Sequence, residues 1–379
     1  MPRKRLFHLM SLIPLLLAML VPMAFSRGVT PGASAQAALS CEPQAAQAAP
    51  ANAAAPMTAG TPAAELTKVT MGYVPALIFA PVFVAKEKGY FAEYGLDVTL
   101  EPLPGGSDMV LLTASGEFDA AITGAGPAFF NAVQGGLPLK VIAPGHQEGS
   151  PVATPLMISK EACESGAITS VADLKGKRVS VNARGATEYW LAQALATGGL
   201  TMDDVTVETL AFPDAVAALQ SGAIDAAMVG EPLATKAEQD GIAVRLASDF
   251  AVQNIQPTVI IGNSGWLEGN PDLAAGLVAG YLKAARDLSS GGFSDPATLA
   301  IIEQYTQVPA DLIAASVKPV YSVDGHIDLQ SIEIMQQFFR DQDLLEYDEN
   351  IDPASIVDTQ YVDAALALIG PSAAATPVP

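Results

Sequence analysis

The 379-residue chain is poor in basic side chains: 19 lysines and arginines face 40 aspartates and glutamates, a formal charge of −21. Such a surface repels phosphate backbones, which excludes nucleic acid as a natural partner. Cysteine is nearly absent. Cys41 and Cys163 are too few for a disulfide framework, and neither keeps the CxxC or histidine company of a metal site. Histidine occurs only as His8, His146 and His326, and no Walker loop, HExxH or Gly-x-Ser-x-Gly is present. Gly124-Ala125-Gly126 opens like a dinucleotide fingerprint but lacks the third glycine and the acid about 20 residues on. The expectation is a protein without catalytic chemistry, cofactor or metal.

Acid is missing from the start of the chain, where Arg3, Lys4, Arg5 and Arg27 stand alone. Basic residues, then an apolar stretch over 6–25, then a small-residue site at Ala33-Ser34-Ala35 form the layout of a secretory signal. An exported protein is expected. Pro14 and Pro22 favour a signal over an uncleaved anchor, and no later segment is long and apolar enough to span a membrane. Cys41 heads a non-periodic run of Ala, Pro, Gln and Thr over 41–64, the composition of a tether. Cys41 is therefore the expected lipid anchor at the outer face of the cell membrane. A soluble periplasmic protein with an inert Cys41 is the alternative. Cys163, flanked by Glu161 and Glu164, reads as a bystander, because neighbouring acids raise a thiol pKa.

What the chain does contain is an internal repeat. Ser115-Gly116-Glu117-Phe118-Asp119-Ala120-Ala121-Ile122 returns 106 residues later as Ser221-Gly222-Ala223-Ile224-Asp225-Ala226-Ala227-Met228. Behind it, Asp97-Val98-Thr99-Leu100-Glu101 matches Asp204-Val205-Thr206-Val207-Glu208. Each copy reads as a strand, a turn, a helix (108–114 and 214–220), a Ser-Gly stop and a buried strand. Further strands at 69–74 and 178–182 precede helices at 82–88 and 187–197. Strands alternating with helices imply parallel sheets covered on both faces, hence two related α/β lobes. Beyond residue 256 the pattern is mostly helical, with candidates at 271–288, 296–305, 329–339 and 362–369.

The phrases Gly72-Tyr73-Val74-Pro75, Lys86-Glu87-Lys88-Gly89-Tyr90-Phe91-Ala92-Glu93-Tyr94-Gly95-Leu96, the Ser-Gly-x-x-Asp-Ala-Ala element, Asp173-Leu174-Lys175-Gly176-Lys177-Arg178-Val179 and Gly230-Glu231-Pro232 stand in order over 69–370. Together they resemble the solute-binding proteins of nitrate/sulfonate/taurine-type ABC importers, a family that includes binders of thiamine-precursor pyrimidines and riboflavin. The resemblance implies a two-lobed periplasmic-binding-protein-like α/β fold with a ligand cleft between the lobes. It places hinge crossings near 150–157 and 256–261, and it implies an ABC permease and its ATPase as partners. The organisation expected is a leader (1–40), the tether (41–64), lobe I (65–155), lobe II (156–256), a return to lobe I with C-terminal helices (257–370) and a frayed tail (371–379). A pyrimidine-synthase relative of the same build keeps an enzyme as an alternative, although its cysteine-rich segment has no counterpart here. A sensor or adhesion module of the same fold is another.

Ligands of open α/β sheets collect beyond the carboxyl ends of the strands. Loops 75–80, 104–108, 124–129 and 182–189, with Gly230-Glu231, are placed there by the strand assignments. The candidate contacts are Ala76, Leu77, Phe79, Gly106, Ser107, Gly124, Ala125, Phe129, Asn182, Arg184, Gly185, Thr187, Tyr189 and Glu231. Phe79, Phe129 and Tyr189 offer rings for stacking or fill the core; the Gly-Ser and Gly-Ala-Thr turns present amides or simply cap helices; Glu231 accepts a hydrogen bond or starts a helix. Arg184 is the single basic residue of these loops. A net-acidic, aromatic pocket suits a flat neutral ring, with riboflavin favoured over a thiamine-type pyrimidine and over sulfonate, taurine or nitrate.

Overall fold

The computed structural model describes residues 39–42, 66–252 and 254–371. The expected leader, nearly all of the tether and the end of the tail lie outside them. No helix among the described residues is long and apolar enough to cross a membrane.

Lobe I begins with β1 (Thr67–Tyr73), α1 (Ala80–Glu87), β2 (Leu96–Pro102), α2 (Gly106–Ser115), β3 (Ala120–Gly124), α3 (Pro127–Gln134), β4 (Leu139–Pro144) and the two-residue β5 (His146–Gln147). Lobe II follows as β6 (Leu156–Ser159), α4 (Lys160–Glu164), β7 (Arg178–Val181), α5 (Ala186–Thr197), β8 (Thr206–Thr209), α6 (Phe212–Ser221), β9 (Ala226–Met228), α7 (Leu233–Gln239) and β10 (Ala243–Ala247). The chain then returns through β11 (Thr258–Asn263), α8 (Ser264–Gly269), α9 (Pro271–Ser289), α10 (Pro296–Thr306), α11 (Ala310–Ala315), β12 (Val320–Tyr321), α12 (Leu329–Asp341), α13 (Pro353–Ile356) and α14 (Gln360–Ile369).

The two five-stranded sheets have one plan. Lobe I is ordered β2-β1-β3-β11-β4 and lobe II, read from its other edge, β8-β7-β9-β6-β10. In each, the strand that arrives from the other lobe sits fourth and runs antiparallel to its neighbours. The remaining strands are parallel, as the strand–helix alternation requires.

The repeated Ser-Gly-x-x-Asp element has one physical job in both lobes. Gly116 and Gly222 take φ of 80° and 70°, the left-handed cap that ends α2 and α6. Three residues on, the Asp119 carboxylate accepts from the Thr70 amide at 2.8 Å, and Asp119 N donates back to Thr70 O. Asp225 repeats this at the head of β7, accepting from Arg178 N at 2.9 Å and Nε at 3.1 Å, while its own amide donates to Arg178 O. Asp119 thus clamps β1 to β3, and Asp225 clamps β7 to β9. Burial alone would raise the Asp225 pKa, but the Arg178 bonds outweigh it and hold the carboxyl below its ordinary range. Asp225→Ala is therefore expected to cost about 1–2 kcal/mol in urea unfolding at pH 7. A depressed folded pKa means the contribution is complete above the unfolded value and lost as pH falls through the folded one, so the gap to wild type should close below about pH 4.

The C-terminal helices cover lobe I. Gly276 and Gly280, one turn apart on α9, let that helix lie against the 91–94 segment, where an added Cβ would stand 2.6 Å from Tyr94 Cβ and from the Phe91 ring. Lys283 pairs with Glu93, and Lys88 with Asp287 at 3.1 Å, along the same contact.

The chain crosses between the lobes along 148–155 and 248–257, earlier than expected for the second crossing, because 258–263 is already a sheet strand. The crossings are zipped together: Glu148 N donates to Ile255 O, Asn254 N to Glu148 O and Val152 N to Ser248 O. Val152 and Val252 are fully buried between them.

The expected lipid anchor at Cys41 is overturned. Its sulfur is bonded to that of Cys163 on α4, across 122 residues of sequence. A lipidated cysteine carries its lipid on that same sulfur, so the two states exclude each other. Cys163 is correspondingly no bystander.

Candidate functional site at the lobe junction

The first crossing leaves lobe I from the carboxyl end of β4, and the second leaves lobe II from the carboxyl end of β10. Both strands run parallel to the main strands of their sheets, so the carboxyl ends of both sheets open onto the same junction. Unpaired helix N-termini collect there.

On the lobe I side, residues 77–79 form a short 3-10 turn after β1, with Leu77 and Phe79 buried and Ala76 half-buried. The Tyr321 hydroxyl donates to Leu77 O at 3.1 Å. Gly106 and Ser107, expected in a loop, form the first turn of α2; Ser107 is exposed, and Thr123 Oγ1 donates to Gly106 O. A Cβ on residue 106 would stand 2.5 Å from that hydroxyl, which explains glycine there. Gly124 ends β3, and the buried Ala125 donates its amide to Pro257 O in the second crossing. Phe129, also expected in a loop, is in α3 and is fully buried.

On the lobe II side, the 182–185 turn links β7 to α5, with Gly185 as an N-cap that supplies no side-chain bond. Thr187 Oγ1 donates to Asn182 Oδ1 at 2.6 Å. Arg184 points its fork at Glu188, Nε to Oε2 at 3.1 Å and Nη2 to Oε1 at 2.8 Å, a pairing that raises the guanidinium pKa. Glu188 is only 2% exposed. Burial raises the Tyr189 pKa, so its hydroxyl stays protonated at neutral pH.

Glu231 is placed differently from the free acceptor expected. Its carboxylate takes bonds from Arg245 Nη2 (2.7 Å), Thr235 N and Oγ1 (3.1 and 3.0 Å) and Val317 N (3.4 Å). Arg245 also reaches Glu238 at 2.9 Å, so the two acids share one buried guanidinium. This network uses the acceptor capacity that a ligand would need. It ties lobe II to the segment before β12, whose strand pairs with β5 beside the first crossing.

The aromatic side chains contact one another. Phe129 meets Phe130 (ring centroids 5.6 Å), Phe130 meets Phe339 (6.2 Å), Phe339 its neighbour Phe338 (5.9 Å), Phe338 meets Tyr189 (5.1 Å) and Tyr189 its neighbour Trp190 (5.5 Å). The series runs from α3 in lobe I, over α12, to α5 in lobe II. It ends at Glu148 in the first crossing, whose Oε1 accepts from Trp190 Nε1 at 2.8 Å. Glu148 Oε2 accepts from Ala153 N at 2.9 Å, and His146 Nε2 stands 3.7 Å from Oε1. Thr258 Oγ1 accepts from the His146 amide and lies 2.8 Å from Nδ1. Burial pushes the Glu148 pKa up, yet the bonds from His146, Trp190 and Ala153 more than offset it. Sequence reading passed over Glu148 and Phe338; nothing local marks either one.

Known proteins match this chain over most of its length. The sequence profile of the NMT1-like family matches residues 62–302. The riboflavin-binding protein RibY of Chloroflexus aurantiacus is 31% identical over 245 residues, covering 62% of this chain and 67% of RibY. The nitrate/nitrite binding protein NrtA of Nostoc sp. is 25% identical over 241 residues, covering 60% of this chain and 55% of NrtA. The matched part thus spans between half and two thirds of these relatives. Among solved structures, the alkanesulfonate-binding protein SsuA of Xanthomonas axonopodis pv. citri superposes with a TM-score of 0.63 at 20% identity, over 78% of this chain and 100% of that one. The profile match over residues 62–302, joined to a fold shared with a two-lobed binding protein, shows that the chain belongs to the NMT1-like family.

Proposed function

We propose that the protein is the extracytoplasmic solute-binding component of an ABC importer. It would hold a small organic molecule between the lobes and pass it to a permease driven by an ATPase. The observation that carries this reading is that the carboxyl ends of both sheets open onto one junction, where closure about two crossings brings helix N-termini and loops onto a solute from both sides. Export is supported by the Cys41–Cys163 disulfide, a bond at home in an oxidising compartment. Capture without turnover is supported by the cysteines too, since pairing leaves neither as a thiol nucleophile.

The solute favoured is a flat, neutral heterocycle such as riboflavin, then a thiamine-type pyrimidine, then a sulfonate, taurine or nitrate. The match to RibY supports this order, as does the neutralisation of Arg184 by Glu188. Of the candidate contacts, Ala76, Gly106, Ser107, Gly124, Asn182, Arg184 and Thr187 are exposed or half-buried and keep reach to a solute. Titration calorimetry of the mature chain against riboflavin, an aminopyrimidine, taurine and nitrate tests it. Riboflavin is expected to bind one-to-one and to be recovered unchanged; tight taurine or nitrate binding with no heat from either ring compound would overturn the order.

A further inference from the structure

Across the strand-end loops at the lobe junction, Arg184 is the one basic side chain. Arg245, behind the last of these loops, is consumed by Glu231 and Glu238, and Lys318 donates to the carbonyls of Ala314 and Ser316. Among the described residues of these loops, the positive charge open to an anionic solute is therefore the Arg184 guanidinium, backed by the first turn of α5. Both sources are already answered by one group. Glu188 lies in that first turn, is 2% exposed, and fills the Arg184 fork with both carboxylate oxygens. A carboxylate in a guanidinium fork presents two oxygens to it, as nitrate, bicarbonate or a sulfonate would on docking there.

We infer that Glu188 is a built-in counter-anion that sets specificity, occupying the oxyanion position on Arg184 and so closing the receptor to anionic solutes. This rests on the reading of the lobe junction as the solute site. An incoming anion that takes the Nε/Nη2 side of the guanidinium must expel Glu188, which leaves a second negative charge nearly buried, and one that takes the exposed Nη1 side meets the Glu188 charge beside it. Discrimination then comes from a repulsive element built against the wrong solute as much as from attraction to the right one. A neutral ring meets no such penalty and still finds the α5 amides. A purely structural i,i+4 pair would stabilise the helix by a few tenths of a kcal/mol and would leave specificity untouched.

The test is calorimetry of the full mature chain with sodium nitrate and sodium ethanesulfonate, comparing wild type, Glu188→Gln and the double variant Arg184→Gln/Glu188→Gln. Glu188→Gln keeps the side-chain shape and removes the charge, and Glu188→Ala serves as a second route should the amide fold poorly. Wild type should show no heat at millimolar anion. Either single variant should gain at least tenfold in anion affinity, and the double variant should lose that gain. Anion binding by a folded single variant no tighter than wild type, or tight binding by wild type itself, would overturn the inference. Riboflavin binding by wild type is read in parallel and judges the flavin proposal alone, so the two can fail separately.

Discussion

Glu148→Ala is expected to lower the free energy of unfolding by about 3 kcal/mol, among the largest losses available to a single polar substitution here. The carboxylate is 2% exposed and satisfies the Trp190 indole and the Ala153 amide, with the His146 imidazole facing it at 3.7 Å. Removing it leaves buried donors from both the first crossing and lobe II without an acceptor, each costing about 1–3 kcal/mol. Glu148→Gln should cost less, because an amide oxygen still accepts from Trp190. Because the folded pKa is depressed, the stabilisation is complete above the unfolded value near ~4.3 and is lost as pH falls through the folded one. Urea unfolding followed by tryptophan emission should show a wild-type advantage that is constant from pH 7 to about pH 5 and shrinks below about pH 4. An advantage that grew on acidification would contradict the assigned network.

Cys41→Ser is expected to cost about 5 kcal/mol, the chain-entropy value for a loop of this size, since the bond closes 122 residues. Reduction of the wild type should produce the same drop in melting temperature, and Cys163→Ser should match it. Thiol alkylation followed by mass spectrometry gives the direct check: neither cysteine should react until the protein is reduced. Reaction of Cys163 in the unreduced, folded chain, with a lipid mass on Cys41, would restore the anchor that the disulfide displaces.

The repeat was readable because it solves one backbone problem twice. Ending a helix in the left-handed region calls for glycine, and clasping the neighbouring parallel strand calls for a short carboxylate three residues later, so Gly116/Asp119 and Gly222/Asp225 leave the same trace. The long C-terminal helices were equally visible, since Pro271 and Pro296 stand at their first positions. Helix α3 was missed because Gly126-Pro127 looks like a turn from outside, although a proline there also begins a helix. The second crossing was placed late because Thr258–Asn263 belongs to the lobe I sheet, and only pairing with β3 and β4 reveals that. Contacts between distant side chains left no local signal. The bond between Cys41 and Cys163 has no motif, and of the two readings the sequence leaves open for Phe129 and Tyr189, ligand stacking or core, local pattern cannot choose, whereas each ring packs against another in the fold. Neither expectation for Glu231, ligand acceptor or helix-start acid, includes its buried network, because Arg245 and Val317 approach it from elsewhere in the chain.

The central claim is that two lobes of one plan close on a solute at their shared junction. Small-angle scattering of the mature chain with and without saturating riboflavin tests it most directly. The bound state is expected to have a smaller radius of gyration, as lobe II turns about the 148–155 and 248–257 crossings toward lobe I. An unchanged radius of gyration at saturation, with binding verified by calorimetry in the same sample, would contradict it.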